Sequence, residues 1–456
     1  MQLRPYQQQL VNEIRGQYQL GKRSVLAVLP TGGGKTVIFS HIAQAAARKG
    51  NRVCILVHRA ELLDQASRSL RKMRVQHGLI AANRSMDLSH AVQVASVQTL
   101  ARRLHKLPRD FFQLLVVDEA HHSNAGTWAK VIDHFSNAKL LGVTATPCRG
   151  DGRGLGEQYQ AMVQGPTAQW LTDNGYLAAA RVLAPPGFDA AGLRKRMGDF
   201  DTKQAEQRVA TIMGDCCSHY RKHLDGRTAI AFCCSVAHAE AVARLFISQG
   251  VPAASIDGTM DAANRRQLLA DLAIGRIKVL TSCSLIGEGV DVPSVGGCIL
   301  LRPTQSVSLH LQMIGRCLRP TPGKPAAVVL DHVGNTVRLG HHLEEREWSL
   351  DGVKKRDRDA APSVKVCPKC FATTMSTAQV CRECGHVFAP QERRELQVVD
   401  GELDEMQAIA RKREQGSAQS LEQLRQLAQQ RGYKRGWAER VYQARLAKRY
   451  ATRQTV

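Results

Sequence analysis

Leu29-Pro30-Thr31-Gly32-Gly33-Gly34-Lys35-Thr36 is the stretch whose reading decides the fold. The apolar run Val25 to Leu29 before it reads as a buried strand, and Val37 to Ala47 after it has the apolar spacing of a helix. Strand, glycine turn and helix in that order make a phosphate cradle. Glycines let backbone N–H groups converge on an anion, and a helix N-terminus already favours one. Pro30, Thr31, Gly32, Gly33 and Gly34 supply the cradle's backbone, Lys35 adds a point charge for ATP, and Thr36 offers a hydroxyl to Mg2+. The general P-loop pattern has a glycine where this chain has Leu29. The competing reading is a glycine-rich turn without nucleotide.

The other strand ends of the first half carry chemistry too. Arg52 to Val57 reads as a second buried strand running into His58 and Arg59, and Val92 to Val97 as another ending at Gln98-Thr99. In a parallel sheet these ends share the carboxyl edge, where open α/β folds place ligands. Arg59 and Thr99 there could hold a phosphate backbone, or be ordinary loop residues. Gln113 to Val117 delivers Asp118-Glu119-Ala120-His121. Two adjacent acids after an apolar run are costly unless a cation or a reaction uses them. Beside a P-loop, Asp118 would hold Mg2+ and Glu119 would orient and deprotonate the attacking water; the alternative is a pair of acids capping a helix. Leu140 to Val143 leads to Thr144-Ala145-Thr146-Pro147, a strand edge with two hydroxyls, and Gly150 to Gly156 reads as a mobile surface loop. Ahead of all this, Gln7 has the amide geometry to pair with an adenine edge.

At 456 residues the length suggests two or three domains. Lys and Arg number 63 against 40 Asp and Glu, a formal charge of +23, which favours a polyanionic partner, most simply nucleic acid. Met1 to Leu10 lacks an apolar core, so no signal peptide is expected, and no run approaches a membrane span. The expected location is the cytoplasm. Reduced thiols are expected from the 13 cysteines.

Pro185-Pro186-Gly187 breaks regular structure, and the charged stretch Leu193 to Gln207 reads as a connecting helix or arm. Thr228 to Cys233 then opens a second alternation of strands and helices, implying a second parallel sheet. Within it, Gly287-Glu288-Gly289-Val290-Asp291 is a glycine-rich loop with two acids. Gln312-Met313-Ile314-Gly315-Arg316-Cys317-Leu318-Arg319 places Arg316 and Arg319 three apart, expected on one helix face, where two guanidinium forks can clamp a phosphoryl group; surface ion pairs are the alternative.

Cys367-Pro368-Lys369-Cys370 and Cys381-Arg382-Glu383-Cys384 are separated by ten residues. Four thiolates at that spacing suit tetrahedral Zn2+ and close a ribbon too short to hold itself by burial; a redox pair is the alternative. Lying beyond a charged linker, with Lys365, Lys369 and Arg382 beside the ligands, the ribbon is expected to fold separately and grip nucleic acid. In the tail, Leu421, Leu424 and Leu427 share one face, Gly432 marks a stop, and Trp437, Val441 and Ala444 share another. From Leu421 to Val456 nine Arg or Lys stand against two Glu, so this hairpin could bind nucleic acid, a protein or only water.

The order of these pieces resembles a superfamily two helicase over nearly all of Met1 to His332. Leu29 to Thr36 is similar to the helicase P-loop, Asp118 to His121 reads DEAH, and Thr144 to Pro147 reads TATP. The resemblance implies adenine recognition by Arg4 and Gln7, nucleotide and nucleic-acid contacts by Gly289 and Asp291, and arginine fingers at Arg316 and Arg319 after Gln312. Many relatives have glycine in this last motif, where Cys317 and Leu318 stand. Val28 to Gly32, Leu301 to Thr304, Ser306 to Leu309 and the cysteine element resemble bacterial RadD-type DNA helicases.

The expected fold is thus α/β, with two tandem RecA-like (P-loop NTPase) parallel-sheet domains over 1–177 and 227–345. Residues 178–226 connect them, and a charged linker (346–362), a zinc ribbon (363–390) and a basic helical tail (391–456) follow. The expected activity is an ATP-dependent DNA helicase or translocase using Mg2+, linked to repair or recombination, acting on single-stranded or branched DNA and with a possible repair or replication protein as partner. RNA helicase, duplex translocase and non-hydrolysing scaffold are the alternatives.

Overall fold

Alternation along one strand sets the layers of the first half. In β1 (Ser24–Val28) every residue is buried, with Val25 and Ala27 in one apolar layer and Leu26 and Val28 in the other. The computed structural model describes residues 2–82, 84–123, 126–149, 152–185, 188–196, 198–210, 213–283, 295–321, 323–352, 363–389, 418, 420–434 and 436–444.

Six further strands complete a parallel sheet: β2 (Val53–Val57), β3 (His77–Ile80), β4 (Val92–Ser96), β5 (Leu114–Asp118), β6 (Lys139–Thr144) and β7 (Ala161–Gln164), in the order β3-β4-β2-β5-β6-β1-β7. Parallel neighbours need crossovers, and these are helical. The buried stripes of α1 (Pro5–Gln19), α2 (Lys35–Ala47) and α3 (Ala60–Lys72) close one face, with Leu171 of the short α6 (Ala168–Asp173) in the same core, while α4 (Val97–Arg103) and α5 (Gly126–His134) close the other. Each fully buried Leu, Ile or Val side chain there contributes about 1.5–3 kcal/mol.

The second sheet is also parallel, ordered β12-β13-β11-β14-β15-β8. Its strands are β8 (Ala180–Leu183), β11 (Ala229–Phe232), β12 (Ala253–Ile256), β13 (Val279–Ser282), β14 (Gly297–Leu300) and β15 (Ala327–Asp331). Helices α8 (Met213–Leu224), α9 (Val236–Ser248), α10 (Ala262–Ala273), α11 (Val307–Gly315) and α12 (Asn335–Leu339) connect and cover them. Residues 178–226, read from sequence as a connection, therefore supply the edge strand β8. They also form a hairpin, β9 (Lys195–Arg196) and β10 (Asp199–Phe200), and the helix α7 (Thr202–Ala210) before α8. Asp199 pins the hairpin to the sheet, accepting from Thr304 Oγ1 at 2.9 Å and from the Gln305 amide at 2.7 Å.

Two expectations change. The glycine-rich loop is not a free surface loop where it is described: the Gly156 amide donates to the Leu350 carbonyl at 2.8 Å, and Arg153 bridges to Gly352. The cause is apolar. Trp348 and Leu350, inside the charged linker stretch, pack against the α4/α5 layer of the first sheet. Nor does the cysteine ribbon stand apart. Its strands, β16 (Val364–Val366) and β17 (Thr373–Met375), pair antiparallel, and the ribbon backbone covers β8. The Ala184 amide donates to the Phe371 carbonyl (2.9 Å), Thr373 Oγ1 donates to the Val182 carbonyl (3.1 Å), and Leu183 bridges Ala372. An edge strand exposes peptide groups that need partners, and the ribbon supplies them.

Beyond residue 389 the described residues, 418, 420–434 and 436–444, belong to a second unit. There α13 (Leu421–Gln430) starts on a Ser420/Gln423 capping box, and residues 437–444 are helical. Leu424, Leu427 and Ala438 are buried, with Trp437 and Val441 packed beside them; Ala444, expected on that face, is exposed. Among the described residues no helix is long and apolar enough to cross a membrane.

Candidate nucleotide and nucleic-acid site

Sheet order brings the acidic and hydroxyl motifs to the phosphate cradle. β6 lies between β1 and β5, with Val28 opposite Thr144 and Val143 opposite Asp118, so all three strands release their motifs at one carboxyl edge. The loop is shaped for an anion. Gly34 caps α2 at φ 92°, in the left-handed region, and a Cβ there would lie 2.4 Å from Gln7 Nε2. Lys35 and Thr36 open α2, whose first turn leaves amides for a ligand. Thr36 Oγ1 lies 3.4 Å from Gln65 Nε2, and Thr31 Oγ1 is buried with no hydrogen-bond partner among the described residues. Gly32 also has positive φ, and Pro30 and Thr31 line a pocket with Ala145 and Gly315.

Gln7 is 4% exposed and spends its amide on the protein itself, accepting from the Arg4 amide (3.0 Å) and donating to the Gly33 carbonyl (3.3 Å). Tyr6 Oη also donates to that carbonyl at 2.8 Å. Sequence reasoning missed the aromatic box around these residues. Arg4 lies 4.8 Å over the Tyr176 ring, and Tyr6 meets both Tyr176 and Trp170 edge-on. Only the aromatic side chains themselves signalled it.

Beyond the cradle, hydroxyls and acids form a chain. Asp118 is 6% exposed, and its Oδ1 accepts from the Glu119 amide at 3.0 Å. Glu119 has φ 51°, unusual for a residue with a side chain, and its buried Oε2 has no hydrogen-bond partner among the described residues. His121 Nδ1 lies 3.6 Å from Glu119 Oε2 and 3.3 Å from Thr144 Oγ1. Thr144 Oγ1 donates to the Thr146 carbonyl, and Thr146 Oγ1 donates to Ser308 Oγ at 2.6 Å. Ser308 belongs to α11 of the second sheet. That partner was also missed, because a serine one turn before an arginine motif has no distinguishing signal.

The arginine motif meets the cradle directly. A Cβ on Gly315 would lie 2.5 Å from Thr31 Cγ2, so only a glycine lets α11 approach so closely. Gln312, on α11, is 3% exposed and its Nε2 has no hydrogen-bond partner among the described residues; Arg316 caps the helix and is 9% exposed. The expectation that Arg316 and Arg319 share a helix face is corrected: α11 ends at Gly315. The Cys317 and Leu318 amides bond three residues back, to Ile314 and Gly315, and Arg319 precedes Pro320, which disfavours helical backbone. Lys324 Nζ holds this turn through the Cys317 and Arg319 carbonyls, at 2.7 and 2.9 Å.

Arg59 caps α3 and Thr99 lies in the first turn of α4, after the adjacent strands β2 and β4. Gln98 Nε2 reaches the His58 carbonyl at 3.3 Å, tying the two ends together. A further link across the cleft, unseen in sequence, joins Arg265 of α10 to Glu61 of α3 at 2.9 Å. Gly289 and Asp291 lie outside the described residues.

The four cysteine sulfurs of the ribbon lie within 4.8 Å of one another, with Cys367–Cys384 at 3.6 Å and Cys370–Cys381 at 3.7 Å. Tetrahedral Zn–S bonds of about 2.3 Å give S–S edges of about 3.8 Å, whereas a disulfide needs about 2.05 Å. The residues fit zinc.

The family described as type III restriction enzyme, res subunit, matches residues 1–149, and the helicase conserved C-terminal domain matches residues 211–321. A 51.5 kDa protein of a Lactococcus phage (isolate 7-9) is 34% identical, covering 82% of this chain and 80% of its own. The Saccharomyces cerevisiae protein IRC3, named as an ATP-dependent helicase, is 29% identical over 73% of this chain, which spans only 51% of that protein's length. A fragment assigned as an HsdR subunit of a type I restriction enzyme from Vibrio vulnificus YJ016 shares the fold, with a TM-score of 0.59 at 22% identity over 74% of this chain and 65% of its own.

Proposed function

The chain belongs to the superfamily two helicases, and we propose that it is a DNA motor: an ATP-dependent helicase or translocase in which ATP is bound on the first lobe and hydrolysed with help from the second. The observation that carries this reading is the contact of Gly315 with Thr31, which sets the Arg316–Arg319 turn against the phosphate cradle. Lys35 and the cradle amides bind phosphate oxygens, and the Glu119 carboxylate orients the attacking water and takes its proton. Arg316 and Arg319, beside Gln312, meet the charge that develops on the transferred group. Mg2+ held by Thr36 and Asp118 would neutralise phosphate charge. Closure of the lobes completes the site and hydrolysis releases them, so repeated cycles move the lobes along a strand. Arg59 and Thr99 take the backbone on the first lobe, Gly289 and Asp291 act on the second, and His121, Thr144 and Thr146 couple the two events.

The net charge of +23 supports a polyanionic track. The resemblance of Leu301 to Thr304, Ser306 to Leu309 and the four-cysteine ribbon to RadD-type helicases supports DNA over RNA and a repair setting with a protein partner, in the cytoplasm. The test is the ATPase rate with single-stranded, duplex and forked DNA and with RNA at one salt concentration. Stimulation by single-stranded or forked DNA is expected; stimulation by RNA alone would make the track RNA, and none by any would remove the motor reading.

A further inference from the structure

The ribbon's two metal knuckles are built alike except at one residue. In the second, the Gly385 amide donates to the Cys381 carbonyl (2.9 Å) with Gly385 at φ 71°. In the first, the Phe371 amide donates to the Cys367 carbonyl (2.8 Å), and Phe371 holds φ 59°. That backbone region favours glycine, so a phenylalanine there is kept against its conformational preference. Its place in the fold suggests why. Phe371 lines a cavity of about 820 Å3 between the ribbon, the β9/β10 hairpin and α12, a volume suited to a ligand-sized group.

Phe188, Phe200, Lys195, Arg338 and Gln305 share that lining, with one carboxylate, Asp189, whose Oδ1 accepts from the Ala191 amide at 2.8 Å. The guanidinium of Arg338 is fixed by Asn335 Oδ1 at 2.6 Å and lies 5.9 and 5.7 Å from the Phe188 and Phe200 rings. Outside, Arg194, Lys195 and Arg196 form an exposed basic run on the hairpin. Aromatic faces within and cations at the rim are the chemistry that takes an unstacked base while holding its phosphates. Gln305 also immediately precedes Ser306, whose hydroxyl caps α11, so the cavity adjoins the helix that leads to Arg316.

We propose that this cavity binds a base of single-stranded nucleic acid, stacked on Phe371, with the flanking phosphates on Lys195 and Arg196. The proposal rests on the nucleic-acid reading above and names a contact site for it.

Phe371→Gly separates this role from a structural one, because glycine suits the backbone at 371. The full-length variant should keep its zinc and melt at or above the wild-type temperature. Its affinity for labelled oligo-dU and oligo-U, which differ only in the sugar, read by anisotropy across a salt series, should fall about 5- to 150-fold, the equivalent of about 1–3 kcal/mol of stacking. The salt slope should not change, since no phosphate contact is removed; Lys195→Ala with Arg196→Ala should make it shallower. A loss with one oligonucleotide only would name the sugar. Wild-type affinity in a zinc-loaded Phe371→Gly protein overturns the proposal; if that variant loses zinc, Phe371→Leu, which keeps a side chain and removes the aromatic face, is judged by the same criterion. A wild-type chain that neither binds single strands nor hydrolyses faster with them sinks the motor reading itself, a different outcome.

Discussion

Removing one zinc ligand should weaken the second lobe as well as the ribbon. Metal binding and folding are coupled in so short an element, so Cys381→Ser should release the metal and unfold residues 363–389. What β8 then loses can be counted. The Ala184–Phe371 and Thr373–Val182 hydrogen bonds are worth about 1 kcal/mol each net, and burial of Ala372 against β8 adds about 1 kcal/mol. Arg181 and Glu383, 3.4 Å apart but each more than a third exposed, add about 0–1 kcal/mol. The second lobe should therefore lose about 3–4 kcal/mol. For a body of this size, each kcal/mol shifts the midpoint by about 2–4 °C, giving about 6–16 °C in all.

Calorimetry with a colorimetric zinc assay on the same sample measures both quantities. At 20 °C, well below that transition, basal ATPase should stay near wild type, because the Thr31–Gly315 contact does not involve the ribbon. Unchanged melting in a protein shown to lack zinc would refute the reasoning and restore the ribbon as an independent unit. Lost basal turnover at 20 °C would show instead that the ribbon supports the catalytic cleft.

Glu119→Gln keeps the side-chain shape but loses the base, so single-turnover hydrolysis should nearly vanish while ATP and DNA still bind; wild-type turnover would remove Glu119 from the chemistry. Arg319→Ala should lower kcat about a thousandfold with ATP affinity within a few-fold, and a loss confined to KM would reassign Arg319 to ground-state binding. Acid should destabilise the chain before its carboxylates titrate. Burial first, then the charge of Arg346, holds His310 down to about 3 and His341 down to about 4. Both are neutral when folded and take up protons when unfolded. Their stabilisation is full above about pH 6.5 and falls below it by up to about 1.4 kcal/mol per pH unit for each histidine. The melting temperature should drop between pH 6.5 and 5, and a flat profile there would show that these histidines are protonated in the fold.

What the sequence made legible follows from locality. Strand, glycine turn and helix at 24–47, the acids ending β5 and the hydroxyls ending β6 are each set by a few adjacent residues, and parallel pairing then aligns them. The ribbon's sulfur cluster was legible for the same reason, since its two knuckles are short motifs. Tertiary choices were not. β8 is a four-residue strand in a stretch broken by prolines, and nothing local says that it leaves the first sheet to edge the second. Charge hid Trp348 and Leu350, which return to the first lobe. Arg319 was misplaced because a helical spacing was continued past Gly315, although Pro320 argued against it.

The least legible contacts are those between the lobes, and their chemistry bears on how a motor could use them. Where the cradle meets α11 the partners are small or polar: Thr31 against Gly315, Thr146 on Ser308. Glu61 with Arg265 joins them, partly exposed. A permanent interface would bury large apolar side chains and cost many kcal/mol to part. A hydroxyl pair or a part-exposed ion pair is readily exchanged for water, since the net worth of each is about 1 kcal/mol. Such contacts can form and break within one turnover, driven by a ligand that binds the closed form better. They lie, moreover, where the proposed ligand would act: Glu119 Oε2 stands 3.6 Å from His121 Nδ1, and hydrogen bonds run from His121 through Thr144 and Thr146 to Ser308 on the helix of the second lobe. On the proposed reading, a change at the Glu119 carboxylate would pass along these contacts to the element that leads to Arg316.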